Sequence, residues 1–329
     1  YYMKYGLGKG WMGILFAVLM IITFGFAYNS VQSNTICLAW QKAFGIEPAT
    51  MGIALTVLTL IIIFGGIQRV AKFSSTVVPV MAVVYLLIAV GVVVWNITSL
   101  PKVLLTIVEN AFGFNQAAGG VLGVTVIQGI KRGLFSNEAG EGSAPNAAAV
   151  ATVSHPVKQG LIQALGVFTD TLVVCSCTAF IILVSGVDVT ASNGIQLTQD
   201  ALTHEIGSIG NPFVAVMIWL FAFSSIIGNY YYGETNVRYI KDSKLGVFLY
   251  RLAVAAMVMV GAVVSLDFAW SFADITMALL TLCNLVAIVL LSRQAVFLLQ
   301  DYRQQKKEGK NPVFTKSKMP EIADKLEAW

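Results

Sequence analysis

The 329-residue sequence is 57% hydrophobic and only 12% charged, with a mean hydropathy of +0.77 and a formal net charge of +4. Soluble domains carry about a quarter charged residues, so this composition excludes an ordinary soluble protein and indicates an integral membrane protein. Much of the basic excess lies at the chain ends and in loops, where it reports membrane orientation rather than nucleic-acid binding.

Eight apolar runs are long enough to cross a bilayer, because a transmembrane helix needs about 20 mostly apolar residues. They lie near 11–33 (with a possible continuation to 43), 49–67, 77–98, 118–150, 161–186, 213–232, 247–266 and 273–292. The connecting loops are short except for 99–117 and 187–212. The run at 118–150 differs from the others because it contains the polar, glycine-rich stretch KRGLFSNEAGEGSAPNAAA.

The basic residues predict the orientation of these spans. With the N-terminus taken as cytoplasmic, seventeen lysines and arginines fall in the inner loops and the C-terminal tail, against Lys42 and Lys102 outside. This bias satisfies the positive-inside rule when both chain ends are cytoplasmic. We therefore expect a transmembrane domain over 1–292 and a solvated cytoplasmic tail over 293–329, which could contact anionic membrane lipid.

A break is predicted in the helix that contains the polar stretch. Gly133, Gly140 and Gly142 permit backbone turns that other residues resist, so the helix should break within 133–142 at membrane depth. Irregular backbone at that depth survives only when it is buried in protein or lines a wet cavity. The two helix ends then offer opposite partial charges, an arrangement that holds a carboxylate-bearing substrate beside a cation in transporters.

Several local interpretations of this stretch are open. Ser136 or Asn137 could cap the second half of the helix, with Glu138 in its first turn. The helix could instead end at Lys131–Arg132, which would leave the remainder as a cytoplasmic loop. A nucleophile turn around Ser143 is a third reading, but the G-x-S-x-G spacing is absent and the two histidines fall on opposite predicted sides.

The polar stretch also carries a family resemblance. RGLFSNEAGEGSAPNAAA, followed by HPVKQGL and GVFTDTLVVC, resembles the signature of the alanine or glycine:cation symporter family. Supporting stretches occur in family order from about residue 1 to 295, namely FGFAYNSVQSN, FGGIQRVAKF, FAFSSIIGNYYYGE and LDFAWSFADI. The resemblance implies an all-α polytopic membrane protein of the inverted-repeat, five-plus-five helix class. Family members carry further helices before this chain begins, so the resemblance implies that N-terminal helices are missing here.

The resemblance also implies a function. A family member would carry a small neutral amino acid, alanine or glycine, across the cell membrane together with sodium, by alternating access around a midplane site. It would use no organic cofactor and would not be an enzyme. A proton-coupled carrier of small amino acids and a channel are the alternatives. Because polarity is concentrated at one helix break rather than along a wide path, the sequence favours a binding site over a channel.

Polar residues recur on one face of the first span. Asn29, Gln32 and Ser33 follow the i, i+3, i+4 spacing of a helix face. Such residues either bind a ligand or bond to a neighbouring helix, and the spacing alone does not choose between these roles. The resemblance assigns Gln32, with Asn29 beside it, to the amino-acid site.

The residues around the expected break extend this site. Phe135 precedes the break, and the resemblance implies that its ring lines the substrate pocket and favours alanine or glycine over larger amino acids. Ser136 and Asn137 are predicted to bind substrate as well, whereas Gly140 and Gly142 are assigned a structural or coupling role.

Ionisable and hydroxyl groups occur in later spans. Asp170 lies in the middle of an apolar helix, where an acid is costly and either functional or a buttress for the broken helix. Ser224 and Ser225 would ordinarily be packing residues, but the resemblance implies that their hydroxyls bind sodium, a cation that prefers hard oxygen ligands. Trp270 and Asp274 are expected to be an interfacial anchor and a helix cap.

Overall fold

The computed structural model describes residues 1–65, 67–112 and 121–326, with side chains left undescribed at 67–78 and 121–125. Within these residues the secondary structure is helical and contains no strand. The helices, labelled α1 to α11, are Gly10–Phe44, Pro48–Phe64, Ile67–Trp95, Leu100–Phe112, Val121–Asn137, Ala144–Ala148, Pro156–Ser185, Ile195–Ile206, Gly210–Ile240, Lys244–Val263 and Leu266–Lys307. π-helical turns interrupt α1 at Ile21–Tyr28 and α7 at Asp170–Cys175.

Five helical segments in the described part of the chain are long and apolar enough to cross a membrane. They are α1, α7, the segment that joins α8 to α9, α10 and α11. A sixth candidate is the bent pair Pro79–Trp95 and Leu100–Phe112, whose axes differ by 102°. Helix α2 is apolar but has only 17 residues. The prediction of an all-α polytopic membrane protein is therefore confirmed.

The two long loops predicted from the sequence were wrong in part, because each contains a helix. Helix α4 occupies much of 99–117, and α8 occupies the middle of 187–212. Neither helix forms a continuous apolar run, which is why hydropathy alone did not reveal them. Helix α8 nevertheless packs firmly, since the side chains of Ala201 and Leu202 are fully buried against α7 and α9. The residues 113–117 lie outside the described part.

Helix α1 lies between two apolar clusters and organises the bundle. One cluster joins it to α2, α9 and α10 and contains Leu55, Phe223 and Val258. The other joins it to α11 and contains Phe24 and Leu280. Lipid tails are as apolar as these side chains, so close van der Waals packing rather than transfer from water holds such helices together.

Polar groups on α1 also bond to α10. The Ser33 hydroxyl donates to the carbonyl of Val258 over 2.6 Å. The Asn34 side-chain amide donates to the carbonyls of Gly261 and Val264 over 3.0 and 2.8 Å. These bonds satisfy polar side chains that would otherwise face an apolar environment, and they fix the rotation of α1 about its axis.

The predicted boundary at residue 293 falls inside α11, and the assignment of the residues after it to a cytoplasmic tail stays a prediction. At 1.5 Å per residue the 42-residue α11 is roughly 60 Å long, about twice the bilayer core, so its last turns extend beyond the membrane. The chain then folds back, and the Phe314 amide donates to the Ser154 carbonyl over 2.8 Å. The fully buried His155 ring lies between those of Tyr302 and Phe314.

Candidate substrate and cation site

The helix predicted to break does so between α5 and α6. Helix α5 ends at Asn137 and α6 begins at Ala144, so the intervening backbone covers 138–143. Gly140 and Gly142 have φ angles of +91° and +83°, in the left-handed region that glycine adopts without strain. Glu138 also has a positive φ, of 54°, which is rare for a residue with a side chain. A break in the predicted region is confirmed; it begins at 138 and extends one residue beyond 142, and its depth in the membrane stays a prediction.

The predicted caps of the second half were wrong. Ser136 and Asn137 belong to the last turn of α5, whereas Ser143 occupies the position before α6. The Ser143 hydroxyl donates to the Glu138 carboxylate over 2.5 Å. The alternative of a helix that ends at Lys131–Arg132 is also wrong, because α5 continues for five more residues.

The second half of the break is buried in protein. Glu141, Gly142 and Ser143 are all buried. A Cβ atom at Gly142 would come within 2.7 Å of the Phe16 ring and 2.9 Å of the Asn284 side chain. The break therefore packs between α1 and α11, which satisfies the requirement that irregular backbone in a membrane protein be enclosed by protein or line a cavity.

A cavity of about 740 Å³ lies beside the break. Its lining brings together part of the predicted site, namely Ser136, Asn137, Gly140, Gly142 and Asp170. Its lining does not include the other predicted site residues, namely Asn29, Gln32, Phe135, Ser224 and Ser225. The amide nitrogens of Gly140 and Gly142 donate to no acceptor among the described residues, and both glycines belong to the lining of this cavity.

Asp170 is tied directly to the broken helix. The Ser136 hydroxyl donates to the Asp170 carboxylate over 2.6 Å, and the Asn137 amide donates to the Thr171 hydroxyl over 2.8 Å. Asp170 begins the π-helical turn of α7, a type of distortion frequent at functional sites. The bond between Ser136 and Asp170 agrees with the interpretation that Asp170 supports the broken helix. Asp170 also belongs to the lining of the cavity.

Three aromatic rings form a layer next to the break. The Phe135 ring centre lies 4.7 Å from that of Tyr28 and 4.6 Å from that of Trp270. Gln32 follows Tyr28 by four residues and so lies one turn away on the same face of α1. Its side chain is half-buried and makes no hydrogen bond with any described residue. Gln32 is thus available to a ligand near this aromatic layer.

The residues of the predicted polar face of α1 have different partners in the structure. Ser33 bonds to α10, which is the packing role left open by its spacing. The Asn29 amide nitrogen donates to the carbonyl of Gly25 in its own helix over 3.0 Å. The Asn29 side-chain oxygen is buried and has no partner in the part of the chain that is described.

Comparison with known proteins identifies the family of this chain. A family model described as the sodium:alanine symporter family matches residues 1–316. The chain belongs to this family. It is 54% identical, over 96% of its length, to a Bacillus subtilis protein named "Probable sodium/glutamine symporter GlnT", of which it covers 66%. It is 51% identical over its whole length to the Bacillus subtilis amino-acid carrier protein AlsT, of which it covers 70%.

A more distant relative is the sodium/alanine symporter AgcS of Methanococcus maripaludis, which is 35% identical over 93% of the chain. The chain covers 68% of that relative. It therefore spans about two thirds of the length of these sodium:alanine symporter family proteins. The family is one of transporters, and the several apolar helices make this chain a multi-pass membrane protein.

A second polar cluster, which the sequence did not indicate, contains Lys131, Arg132, Trp270 and Asp274. Ser265 caps α11, since its hydroxyl accepts from the Phe268 amide, so Asp274 lies two turns inside the helix and is not a cap. Asp274 instead pairs with Arg132, and with Lys131 over 3.3 Å. The expectation of a helix cap was wrong because the ionic partners of Asp274 are remote in sequence.

Trp270 belongs to the same cluster, and its expected position at the membrane interface stays a prediction. The Arg132 guanidinium lies 4.1 Å from the centre of its ring, a cation–π distance. The four-residue spacing of Trp270 and Asp274 on α11 is the one sequence signal that could have indicated their common face. This cluster joins α5 to α11 on the side of Phe135 that is predicted to face outward.

Ser224 and Ser225 lie on α9, half-buried. Their hydroxyls donate to the Phe221 carbonyl over 2.8 and 3.1 Å. Such bonds within one helix leave the hydroxyl lone pairs free to accept a cation. Their assignment to sodium stays a prediction.

Proposed function

We propose that the protein works as a cation-coupled symporter of small neutral amino acids, with sodium as the coupling ion and alternating access as the mechanism. The observation that carries the proposal is the helix break at 138–143, where Gly140 and Gly142 line a cavity beside Asp170 and their amides have no acceptor among the described residues. Backbone amides bind a carboxylate without adding a charged side chain, and this is how discontinuous helices hold amino-acid substrates. The sodium:alanine symporter family assignment supports amino-acid and cation cotransport.

Alanine or glycine is the proposed substrate. The rings of Tyr28, Phe135 and Trp270 pack against one another next to the break, and bulky rings beside a substrate pocket favour a short side chain. Gln32, one helical turn from this aromatic layer, supplies an amide with no hydrogen bond to any described residue, and such an amide suits the polar end of an amino acid. One relative carries a sodium/glutamine symporter name and another a sodium/alanine symporter name, so glutamine is the competitor that any uptake measurement must include.

The contacts around Asp274 support alternating access. Arg132 pairs with Asp274 and stacks on Trp270, so three side chains close over Phe135 on the side predicted to be extracellular. Opening this cluster would separate α5 from α11 and admit substrate to the aromatic layer. Ser224 and Ser225 are the proposed sodium ligands, since hydroxyl oxygens suit this hard cation.

The test is uptake by the complete carrier that the gene encodes, reconstituted in proteoliposomes. With an inward sodium gradient, we expect accumulation of labelled alanine or glycine and weak accumulation of glutamine. Replacement of sodium by choline should abolish the accumulation. Uptake that follows a proton gradient without sodium would support the proton-coupled alternative, and uptake that never exceeds equilibrium would support a channel.

A further inference from the structure

The buried acid Glu141 is not among the residues proposed to contact the substrate or sodium. It lies in the break and its side chain is 0% exposed. The Tyr28 hydroxyl donates to its Oε1 atom over 2.7 Å. Its Oε2 atom is also buried, and it has no hydrogen-bond partner in the described part of the chain.

The groups that face Glu141 come from three elements. Helix α1 contributes Tyr28, and the break itself contributes Glu138, which is held by Ser143. Helix α11 packs against the glycines on either side of Glu141: Asn284 donates to the Gly140 carbonyl over 2.8 Å and lies against Gly142, and Thr281 approaches Gly140. Each of these groups is either neutral or acidic.

No cation compensates the two acids of the break among the residues that the structure describes. The nearest basic residues in sequence, Lys131 and Arg132, pair with Asp274. Asp170 is a further acid near the cavity, and it bonds to Ser136. Two acids three residues apart with no basic partner repel one another when both are ionised.

An isolated carboxylate that is removed from water costs a large free energy, and proton binding removes that cost by neutralising the group. Ionisable groups in such positions in membrane proteins mark ion paths and proton relays. A sodium ion would need several oxygen ligands around it, whereas a proton needs a single lone pair. The unpartnered Oε2 atom of Glu141 supplies that lone pair.

We propose that Glu141 is a proton-binding site of the carrier, separate from the sodium ligands proposed at Ser224 and Ser225. The residues on either side of Glu141, Gly140 and Gly142, line the cavity, whereas Glu141 itself lies behind them. A hydronium ion that reaches Glu141 gives its proton to Oε2: one O–H bond of the hydronium breaks, one O–H bond to Oε2 forms, water leaves, and the side-chain charge changes from minus one to zero. Proton binding is a property of the purified protein. The effect of this proton on transport rests on the proposed symport function, because the protonation of Glu141 would set how amino-acid uptake depends on pH.

Infrared difference spectroscopy on the purified complete carrier tests proton binding without any transport. We expect the carbonyl band of a protonated carboxyl group in the wild type at neutral pH, and loss of that band in Glu141→Gln. The matched control Glu308→Gln changes an acid that is solvent-exposed beyond α11, and it should leave the band intact. A band of undiminished strength in Glu141→Gln, or no such band in the wild type, would overturn the proposal.

Tyr28→Phe provides a second variant that retains the acid. Loss of the hydroxyl that donates to Oε1 should change the frequency of the same band, even if Glu141→Gln does not fold. An unchanged frequency would place the protonated group elsewhere and overturn the assignment. In proteoliposomes at saturating sodium, Glu141→Gln should transport with a flattened pH profile, and an unchanged profile would refute the coupling role. If the wild type shows the band but no uptake, the symport function fails while the proton site stands.

Discussion

The hydroxyl of Ser136 donates to the carboxylate of Asp170 over 2.6 Å, and this bond joins the end of α5 to the π-helical turn of α7. It links the broken helix to the next span at the wall of the cavity. A hydrogen bond to a charged group contributes about 1.5–3 kcal/mol, and partial solvent exposure reduces this here to about 1 kcal/mol. Ser136→Ala and Asp170→Ala should each lower the thermal stability of the purified carrier.

A double-mutant cycle separates this bond from other effects of the two substitutions. The combined variant should lose less stability than the sum of the single variants, because both remove the same bond. Strict additivity would show that the two side chains do not interact in the folded protein.

The second prediction concerns the turn at the break. Gly142→Ala places a Cβ atom against Phe16 at a positive φ, so it combines a strained backbone with overpacking. Together these cost about 2–5 kcal/mol, and substrate binding should fall. Gly133→Ala is the matched control, since Gly133 lies inside α5 with no atom within 4 Å of an added Cβ. Thermal unfolding of both variants measures the difference, and equal behaviour would contradict the assigned turn.

Phe135→Ala tests the proposed size filter. Removal of the ring should weaken alanine uptake and raise the uptake of larger amino acids relative to alanine, by tens to roughly a few hundredfold at most. Gln32→Ala should weaken alanine uptake without this change in selectivity. Phe168→Ala, which removes an exposed ring from α7, is the control and should leave kinetics unchanged. Unchanged kinetics in both Phe135→Ala and Gln32→Ala, at equal expression, would place these residues outside the site.

The Ser224→Ala, Ser225→Ala double variant tests the sodium assignment. It should raise the sodium concentration needed for half-maximal transport. Alanine affinity should fall mainly at low sodium and recover at high sodium, because coupling between two ligands is reciprocal. Thr169→Ala removes an exposed hydroxyl that donates to its own helix in the same way and lies outside the cavity lining, so it serves as the control. Normal sodium dependence in the double variant would exclude these hydroxyls as ligands.

The last prediction concerns the tail, the chain that follows α11 and folds back so that Phe314 bonds to Ser154. Lys318 pairs with Asp301 over 2.6 Å, and His155 contacts the same carboxylate over 3.2 Å. Burial acts to raise the pKa of Asp301, but the hydrogen bonds with Lys318 and His155 outweigh it, so the pKa lies below its ordinary value of 3.8. Because this pKa is lowered, the Asp301 carboxylate contributes fully to the docking of the tail above pH 3.8. That contribution is lost as the pH falls through the lowered pKa.

Limited proteolysis after residue 308 should therefore stay slow from neutral to mildly acidic pH in the wild type. Asp301→Asn should accelerate cleavage at neutral pH, because the amide cannot form the ion pair. Glu308→Gln, which removes the exposed partner of Lys310, is the control. Equal cleavage rates in Asp301→Asn and the wild type would show that this ion pair does not hold the tail.

The parts of the fold that follow from local patterns were predictable. Continuous apolar runs indicated the long helices, and the glycines at 140 and 142 indicated the break, because both signals depend on neighbouring residues. Helices α4 and α8 were missed since their apolar residues cover one face only. The continuation of α11 beyond residue 292 was missed because polar helix-forming residues resemble a solvated tail.

The side-chain contacts of the site could not be predicted, because they join residues that are remote in sequence. Tyr28 and Glu141 are 113 residues apart, and Arg132 and Asp274 are 142 residues apart. Local spacing placed Asn29, Gln32 and Ser33 on one helix face without choosing between ligand binding and helix packing, and the packing of α10 decided that Ser33 bonds to a neighbouring helix.

Equilibrium binding of labelled alanine to the purified complete carrier tests most directly whether the helix break forms a sodium-coupled amino-acid site. Binding should require sodium, should be competed by glycine, and should be lost in Gly142→Ala but retained in Gly133→Ala. Sodium-independent binding, or full binding by a folded Gly142→Ala variant, would contradict the account.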